Sequence, residues 1–244
     1  MTTLQGQVAV VTGAGRGIGR AIALGFARAG AAVVCSARSK AQIDDTAARI
    51  EEAGGRAISV VADVVSYPAV EALFAEAGRA FGGVDIALVN AGASPQNLPV
   101  ADSDPLLWQQ TVEVNLIGAY HTARAAIVPL RRRGGGKILF VGSGMGHRSS
   151  PTRTAYASSK AGVNMLMRVL AQELIADHIC VNELVPGPVL TEFVAGRVDA
   201  LRAATGGHEW FKQADDVVPL ALFVATQPPD GPTGQTFSLA RREL

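Results

Sequence analysis

Short runs of contiguous apolar, mostly β-branched residues alternate along the chain with longer Ala-rich stretches whose apolar positions recur at helical spacing. The runs Val8 to Thr12, Ala32 to Ser36, Ala57 to Ala62, Val84 to Val89, Ile138 to Gly142 and Ile179 to Val185 predict strands. The stretches Ile18 to Ala29, Ala41 to Ala53, Ala69 to Phe81, Pro105 to Arg132 and Ala155 to Ala176 predict helices, with a break expected inside the fourth. A strand that is apolar at every position has no solvated face, so helices must cover both sides of the sheet, and parallel strands joined by right-handed crossovers meet that need. The expected fold class is α/β: a doubly wound parallel sheet (Rossmann fold), a single domain over residues 1–244 with helices on both faces. No repeat, low-complexity tract or linker divides it.

Composition sharpens this picture. Hydrophobic residues make up 48% and charged residues 18% of 244, enough to bury a large core. Lys and Arg number 22 against 21 Asp and Glu, so no overall field favours nucleic acid or an anionic membrane, and neither is an expected partner. No apolar run reaches the length of a membrane span, and Met1 to Gln7 lacks the features of a signal peptide, so the expected compartment is the cytoplasm. The triplet Arg131-Arg132-Arg133 followed by Gly134-Gly135-Gly136 reads as the end of a helix, where basic residues suit the dipole and glycine stops the turn. Cys35 and Cys180 stand in apolar surroundings as buried thiols. His121, His178 and His208 have no metal-ligand spacing, and no catalytic metal is expected.

The first predicted strand runs directly into Gly13-Ala14-Gly15-Arg16-Gly17-Ile18-Gly19, which opens a helix. A strand, a Gly-rich turn and a helix N-terminus set bare backbone N–H groups and the positive end of the helix dipole against a pyrophosphate. This predicts dinucleotide binding. An acidic residue at the end of the second strand would hold the ribose 2′-hydroxyl of NAD, but that place reads Ala37-Arg38. Arg38 with Arg16 suits a 2′-phosphate instead, so the expected cofactor is NADP(H) in preference to NAD(H).

Tyr156 and Lys160 are an i, i+4 pair near the start of a predicted helix and therefore share one face. A phenol with a pKa of about 10 exchanges protons poorly at neutral pH, and an ammonium one turn away favours the phenolate. Tyr156 can then serve as general acid toward a carbonyl and as general base in the reverse reaction. Ser143 lies just past the fifth predicted strand, at the carboxyl edge where doubly wound sheets bind ligands, and its hydroxyl can bond a substrate oxygen.

These residues together resemble the short-chain dehydrogenases/reductases of the classical branch, in register over nearly the whole chain. The matching positions are Thr12-Gly13 with Gly17-Ile18-Gly19, Asp63-Val64, Asn90-Ala91-Gly92, Asn115, Ser143, Tyr156 with Lys160, and Pro186-Gly187. The resemblance implies a catalytic tetrad. Tyr156 would exchange the proton, Ser143 would position the carbonyl, Lys160 would bind the nicotinamide ribose and tune the tyrosine, and Asn115 would hold a water linking Lys160 to solvent. It further implies adenine contacts at Asp63 and Val64, a cofactor wall at Asn90 and Gly92, and a nicotinamide end at Pro186, Gly187, Val189 and Thr191. A small-molecule carbonyl or alcohol substrate and a homotetramer are implied as well, the latter built from the helices beginning near Pro105 and Ala155 and from the C-terminal strand. Departures from the family pattern are Val89, a short 191–215 stretch containing Gly206-Gly207, and a tail without an acidic ending.

Met145 and His147, which follow Ser143, are the candidate substrate contacts. Trp210 and Phe211 fit a pocket cap, a subunit contact or ordinary core equally well. The leading expectation is an NADP(H)-dependent reductase or alcohol dehydrogenase resembling 3-oxoacyl-thioester reductases and their relatives. Its alternative is a non-catalytic regulator that binds a nicotinamide dinucleotide, a reading that the presence of Tyr156 and Lys160 disfavours. A nucleotide-sugar epimerase would want a C-terminal substrate domain, for which too few residues remain.

Overall fold

The computed structural model describes residues 3–196, 198–204, 209–241 and 244. The expectations placed on Met1, Gly206, Gly207 and His208 lie outside the described residues. Seven parallel strands form one sheet: β1 (Val8–Thr12), β2 (Ala32–Ala37), β3 (Arg56–Val61), β4 (Ile86–Val89), β5 (Gly136–Val141), β6 (Ile179–Val185) and β7 (Thr236–Ser238). Their order is β3-β2-β1-β4-β5-β6-β7, so the direction of winding reverses between β1 and β4. That reversal opens a crevice at the carboxyl ends of those two strands. Every residue of β1, β4 and β6 is buried, as strands covered on both faces require.

One core lies between the sheet and α1 (Gly17–Arg28), α2 (Lys40–Glu52) and α8 (Val218–Ala225), with Ile22, Phe26, Ile43 and Ile50 at its centre. The other lies under α3 (Tyr67–Phe81), α5 (Gly118–Arg132) and α6 (Thr154–Glu173), around Leu73, Phe140 and Met167. The doubly wound reading therefore holds, with local corrections. β4 begins at Ile86 rather than Val84; the Asp85 backbone still bonds to both neighbouring strands, its N–H donating to Val8 O and its carbonyl accepting from the Lys137 N–H, both at 2.9 Å, while its side chain accepts from the Val8 N–H at 2.8 Å and from Arg133 at 2.9 and 3.0 Å. The break expected within 105–132 is a π-helical turn, Glu113–Ile117, separating α4 (Pro105–Val112) from α5. Helix α6 gives way at Leu174 to a 3-10 turn that ends on His178 in the left-handed region at φ 54°. Helix α8 carried no legible signal, since VPLALFVA is apolar on every side and has no period to read. A short α7 (Val198–Ala204) precedes it.

The arginine triplet ends α5. Arg131 pairs with Asp177 at 2.7 Å and Arg133 with Asp85, and Gly134 to Gly136 all have positive φ. Cys35 and Cys180 are buried free thiols, and burial pushes the Cys35 thiol up to about 12. No helix among the described residues is long and apolar enough to cross a membrane, and none of them group as metal ligands.

Candidate active site

A cleft of about 560 Å³ opens along the carboxyl edge of the sheet from β2 to β6. At its β1 end the walls are backbone. Gly13 and Gly17 hold φ of 67° and 56°, where an L side chain is strained. A Cβ on Gly13 would lie 2.7 Å from Asn90 Nδ2, and one on Gly19 would overlap the Gly13 carbonyl oxygen. Asn90 bolts this turn to β4, donating to Thr12 O at 2.9 Å and Gly13 O at 3.3 Å, while its N–H donates to Thr12 Oγ1 at 3.1 Å. From the other side Arg20 donates to Gly15 O and pairs with Asp45 at 3.0 Å. Arg16, the residue just before α1, makes no side-chain cap, and no acidic residue stands in the first turn. The first N–H groups of α1 are thus left to a ligand, and this cradle fits the pyrophosphate of a dinucleotide.

Arg38 is exposed at the cleft wall, and among the described residues its guanidinium has no hydrogen-bond or ion-pair partner. Arg16 stands 3.7 Å from Glu192, both well exposed. Asp63, Val64 and Gly92 line the same wall, with Ser36, Ser39 and Gln42 beside them.

At the other end the walls are side chains. Tyr156 and Lys160 project from the first turns of α6, with the Lys160 ammonium 5.9 Å from the tyrosine ring centroid. Lys160 is 5% exposed and donates to Val141 O at 2.7 Å. Burial pushes its pKa down to about 8, against an upward pull from the Glu183 carboxylate. Ser143 follows β5 in extended conformation, and its Oγ accepts from the Met145 N–H at 3.2 Å, starting the 3-10 turn Gly144–Gly146. Phe193 lies 5.8 Å from Tyr156, ring to ring, and is a wall residue that its sequence context did not mark.

The cleft brings together Gly13, Gly15, Arg16, Gly17, Ile18, Gly19, Arg38, Asp63, Val64, Asn90, Gly92, Ser143, Met145, Tyr156, Lys160, Pro186, Gly187, Val189 and Thr191. Two of the sequence candidates lie behind its surface. Asn115 is buried in the π-turn, where its Oδ1 accepts from Ala93 N at 2.7 Å and its Nδ2 donates to Ala93 O at 2.9 Å and Ser159 Oγ at 3.1 Å. Both amide hydrogens are used, so any water this residue holds attaches through an oxygen. His147 is turned away as a substrate contact, its Nε2 lying 2.9 Å from Glu183 Oε2. Arg148, Arg153, Glu209 and Ala240 line the cleft without having been singled out by spacing or motif. Trp210 covers the Lys212 ammonium at 4.5 Å, and Phe211 stacks with Arg202 at 5.3 Å, so neither is simple core.

This arrangement has close counterparts. The short chain dehydrogenase family model matches residues 7–202. A "Short-chain type dehydrogenase/reductase" of Picea abies is 38% identical over 235 residues, covering 91% of this chain and 87% of that protein. An "NADPH-dependent aldehyde reductase-like protein, chloroplastic" of Arabidopsis thaliana is 37% identical, with 91% and 88% covered. Among solved structures, a short-chain type dehydrogenase/reductase from Mycobacterium marinum superposes with a TM-score of 0.91 at 30% identity, covering 97% of this chain and 95% of that one. With the Gly-rich cradle at one end of the cleft and the Tyr156, Lys160 and Ser143 side chains at the other, the chain belongs to the short-chain dehydrogenase family and is an NAD(P)-dependent oxidoreductase.

Proposed function

We propose that the protein interconverts a small-molecule carbonyl and the corresponding alcohol with NADP(H), using Tyr156 as general acid and base. The observation that carries this reading is the convergence of Tyr156, Lys160 and Ser143 on the cleft that begins at the Gly-rich cradle. A dinucleotide held by the Gly13 to Gly19 cradle would supply or accept the hydride. Tyr156 delivers its hydroxyl proton to the substrate oxygen, and Ser143 donates a hydrogen bond to the same oxygen as charge develops there. Lys160, anchored on Val141 O, keeps a positive charge near the phenol and favours its ionised form. Asn115 acts one layer back, tying the Ala93 backbone to Ser159 so that the 90–93 wall and α6 keep their spacing.

Arg38 and Arg16 favour a 2′-phosphate, whose oxygens match the guanidinium fork; the Arg16 partner Glu192 sits in an exposed pair that solvent screens. The name of the Arabidopsis relative, an NADPH-dependent aldehyde reductase-like protein, supports the same choice. A homotetramer in the cytoplasm completes the reading. Met165 and Val169 are exposed on α6, with Leu106 on α4 and Val128 on α5, whereas Val163 and Leu170 belong to the core.

The test is oxidation of NADPH and NADH, followed at 340 nm, against a panel of aldehydes, ketones, sugars and 3-oxoacyl thioesters. Turnover with NADPH is expected, with a fall of about a hundredfold or more in Tyr156→Phe while NADPH binding persists. Unchanged turnover in that variant removes Tyr156 from the mechanism, and tighter binding of NADH than of NADPH overturns the cofactor assignment.

A further inference from the structure

Glu183 lies in the middle of β6 and is 1% exposed. Its Oε2 accepts from Asn164 Nδ2 at 2.8 Å and Thr236 Oγ1 at 2.8 Å, and lies 2.9 Å from His147 Nε2. Its Oε1 is a buried side-chain atom with no hydrogen-bond partner, alone in this among the described residues. A carboxylate taken out of water with half of its lone pairs unmet is costly unless a cation is near.

The elements around this carboxylate are those that carry the chemistry. Asn164 stands one turn beyond Lys160 on α6, so Tyr156, Lys160 and Asn164 share one face. His147 follows the 3-10 turn started by Ser143, and a Cβ on Gly146 in that turn would lie 2.8 Å from the Lys160 backbone. On the β5 side Phe140 is the register partner of Glu183, and Oε1 occupies the space a Cβ on Gly142 would need. Gly142 is preceded by Val141, whose carbonyl receives the Lys160 ammonium. The charged or titratable groups around the two are therefore His147, 2.9 Å from Glu183 Oε2, and Tyr156, whose ring centroid lies 5.9 Å from the Lys160 ammonium; Lys160 and Glu183 stand beyond direct contact, on the adjoining residues Val141 and Gly142 of the strand end between them. Asn164, Thr236, Phe140 and Gly142 are neutral.

We propose that Glu183 is the buried counter-charge of Lys160, a positioning residue that keeps the ammonium charged in the interior and holds the Ser143 turn against α6. Burial by itself drives the proton off Lys160, and the field of Glu183 opposes this. The catalytic consequence rests on the roles proposed for Tyr156 and Lys160; the pairing of the two charges does not.

The test is a pH titration of lysine side-chain NMR signals in the ligand-free protein. The chain has only four lysines, Lys40, Lys137, Lys160 and Lys212, and Lys160→Met assigns the signal. In Glu183→Gln the Lys160 midpoint should fall by about half a pH unit or more, a threefold or larger rise in its acid dissociation constant. Glu183→Asp, which keeps the charge on a shorter arm, should restore most of that fall. Thr236→Val removes a hydrogen bond but no charge, and should lower the melting temperature while leaving the midpoint in place. An unmoved midpoint in Glu183→Gln, or an equal fall in Thr236→Val, overturns the proposal.

Should Glu183→Gln not fold, a double-mutant cycle decides: the losses of thermal stability in Glu183→Asp and Lys160→Met should be non-additive, and additive losses overturn the pairing. Because neither measurement uses cofactor or substrate, an absence of turnover beside an intact midpoint shift would sink the proposed reaction and leave the charge pairing standing.

Discussion

At the β1 end of the cleft the surface is backbone, shaped by glycines at positions where a Cβ would strike Asn90, the Gly13 carbonyl or Gln42. At the β5 and β6 end it is side chains, held by a buried polar cluster that joins β6, β7, α6 and the turn after Ser143. The first end makes a rigid donor cradle that needs no charge of its own. The second keeps an ammonium and a carboxylate in the interior, where each is tolerable only through its neighbours. On the proposed function, recognition of a phosphate is thus a matter of removing side chains, and proton handling a matter of placing them.

Three variants probe this contrast. Gly19→Ala has the largest expected effect, because its methyl group would fall on the Gly13 carbonyl and the Asn90 amide, neither of which can swing away. Dinucleotide binding followed by fluorescence should weaken by about a hundredfold or more, about 3 kcal/mol. Wild-type affinity in this variant would show that the turn is more pliable than the backbone argument allows.

At the other end, stability should depend on pH through Lys160. Its pKa is about 8 when folded and 10.5 in the open chain, so the unfolded state binds more protons between those values and stability rises with pH across that window. The cost of about 3 kcal/mol is fully present below pH 8 and is relieved as pH rises toward 10.5. Thermal melts of wild type against Lys160→Met should therefore change in favour of wild type from pH 8 to 10.5. A constant difference would mean that Lys160 titrates alike in both states.

The smallest effect is expected where a charge stands on the rim. Arg38→Ala should weaken NADPH binding by about tenfold, about 1.4 kcal/mol, and leave NADH binding nearly unchanged. Equal loss for both cofactors would make Arg38 a general electrostatic contact.

Much of the molecule was legible before its structure. Strand runs with no polar face and helices of clear period led to the parallel sheet, and the chemistry-bearing residues of the first strand, the Tyr156 helix and the Ser143 turn were marked by local spacing. Uniformly apolar α8 was not legible, because a segment apolar on all sides has no phase to read. Glu183 reads in sequence only as part of a strand run, since a carboxylate among apolar residues acquires meaning only from Asn164, Thr236 and His147, which come from three other parts of the chain. His147 reads only as a candidate substrate contact for the same reason: its neighbours in sequence face the cleft, while its partner arrives from β6.

The sequence by itself determined the α/β class, the Gly-rich cradle and the pairing of Tyr156 with Lys160, because each depends on backbone preferences or on spacing within one turn of helix. Only the tertiary structure decided that Asn115 serves as a clamp behind the cleft wall and that Phe193 stands beside Tyr156. It likewise decided that a buried carboxylate stands behind the turn that follows Ser143. Burial, electrostatic pairing and close approach are properties of groups distant in the chain, and they come into being only when the sheet brings its carboxyl edges together.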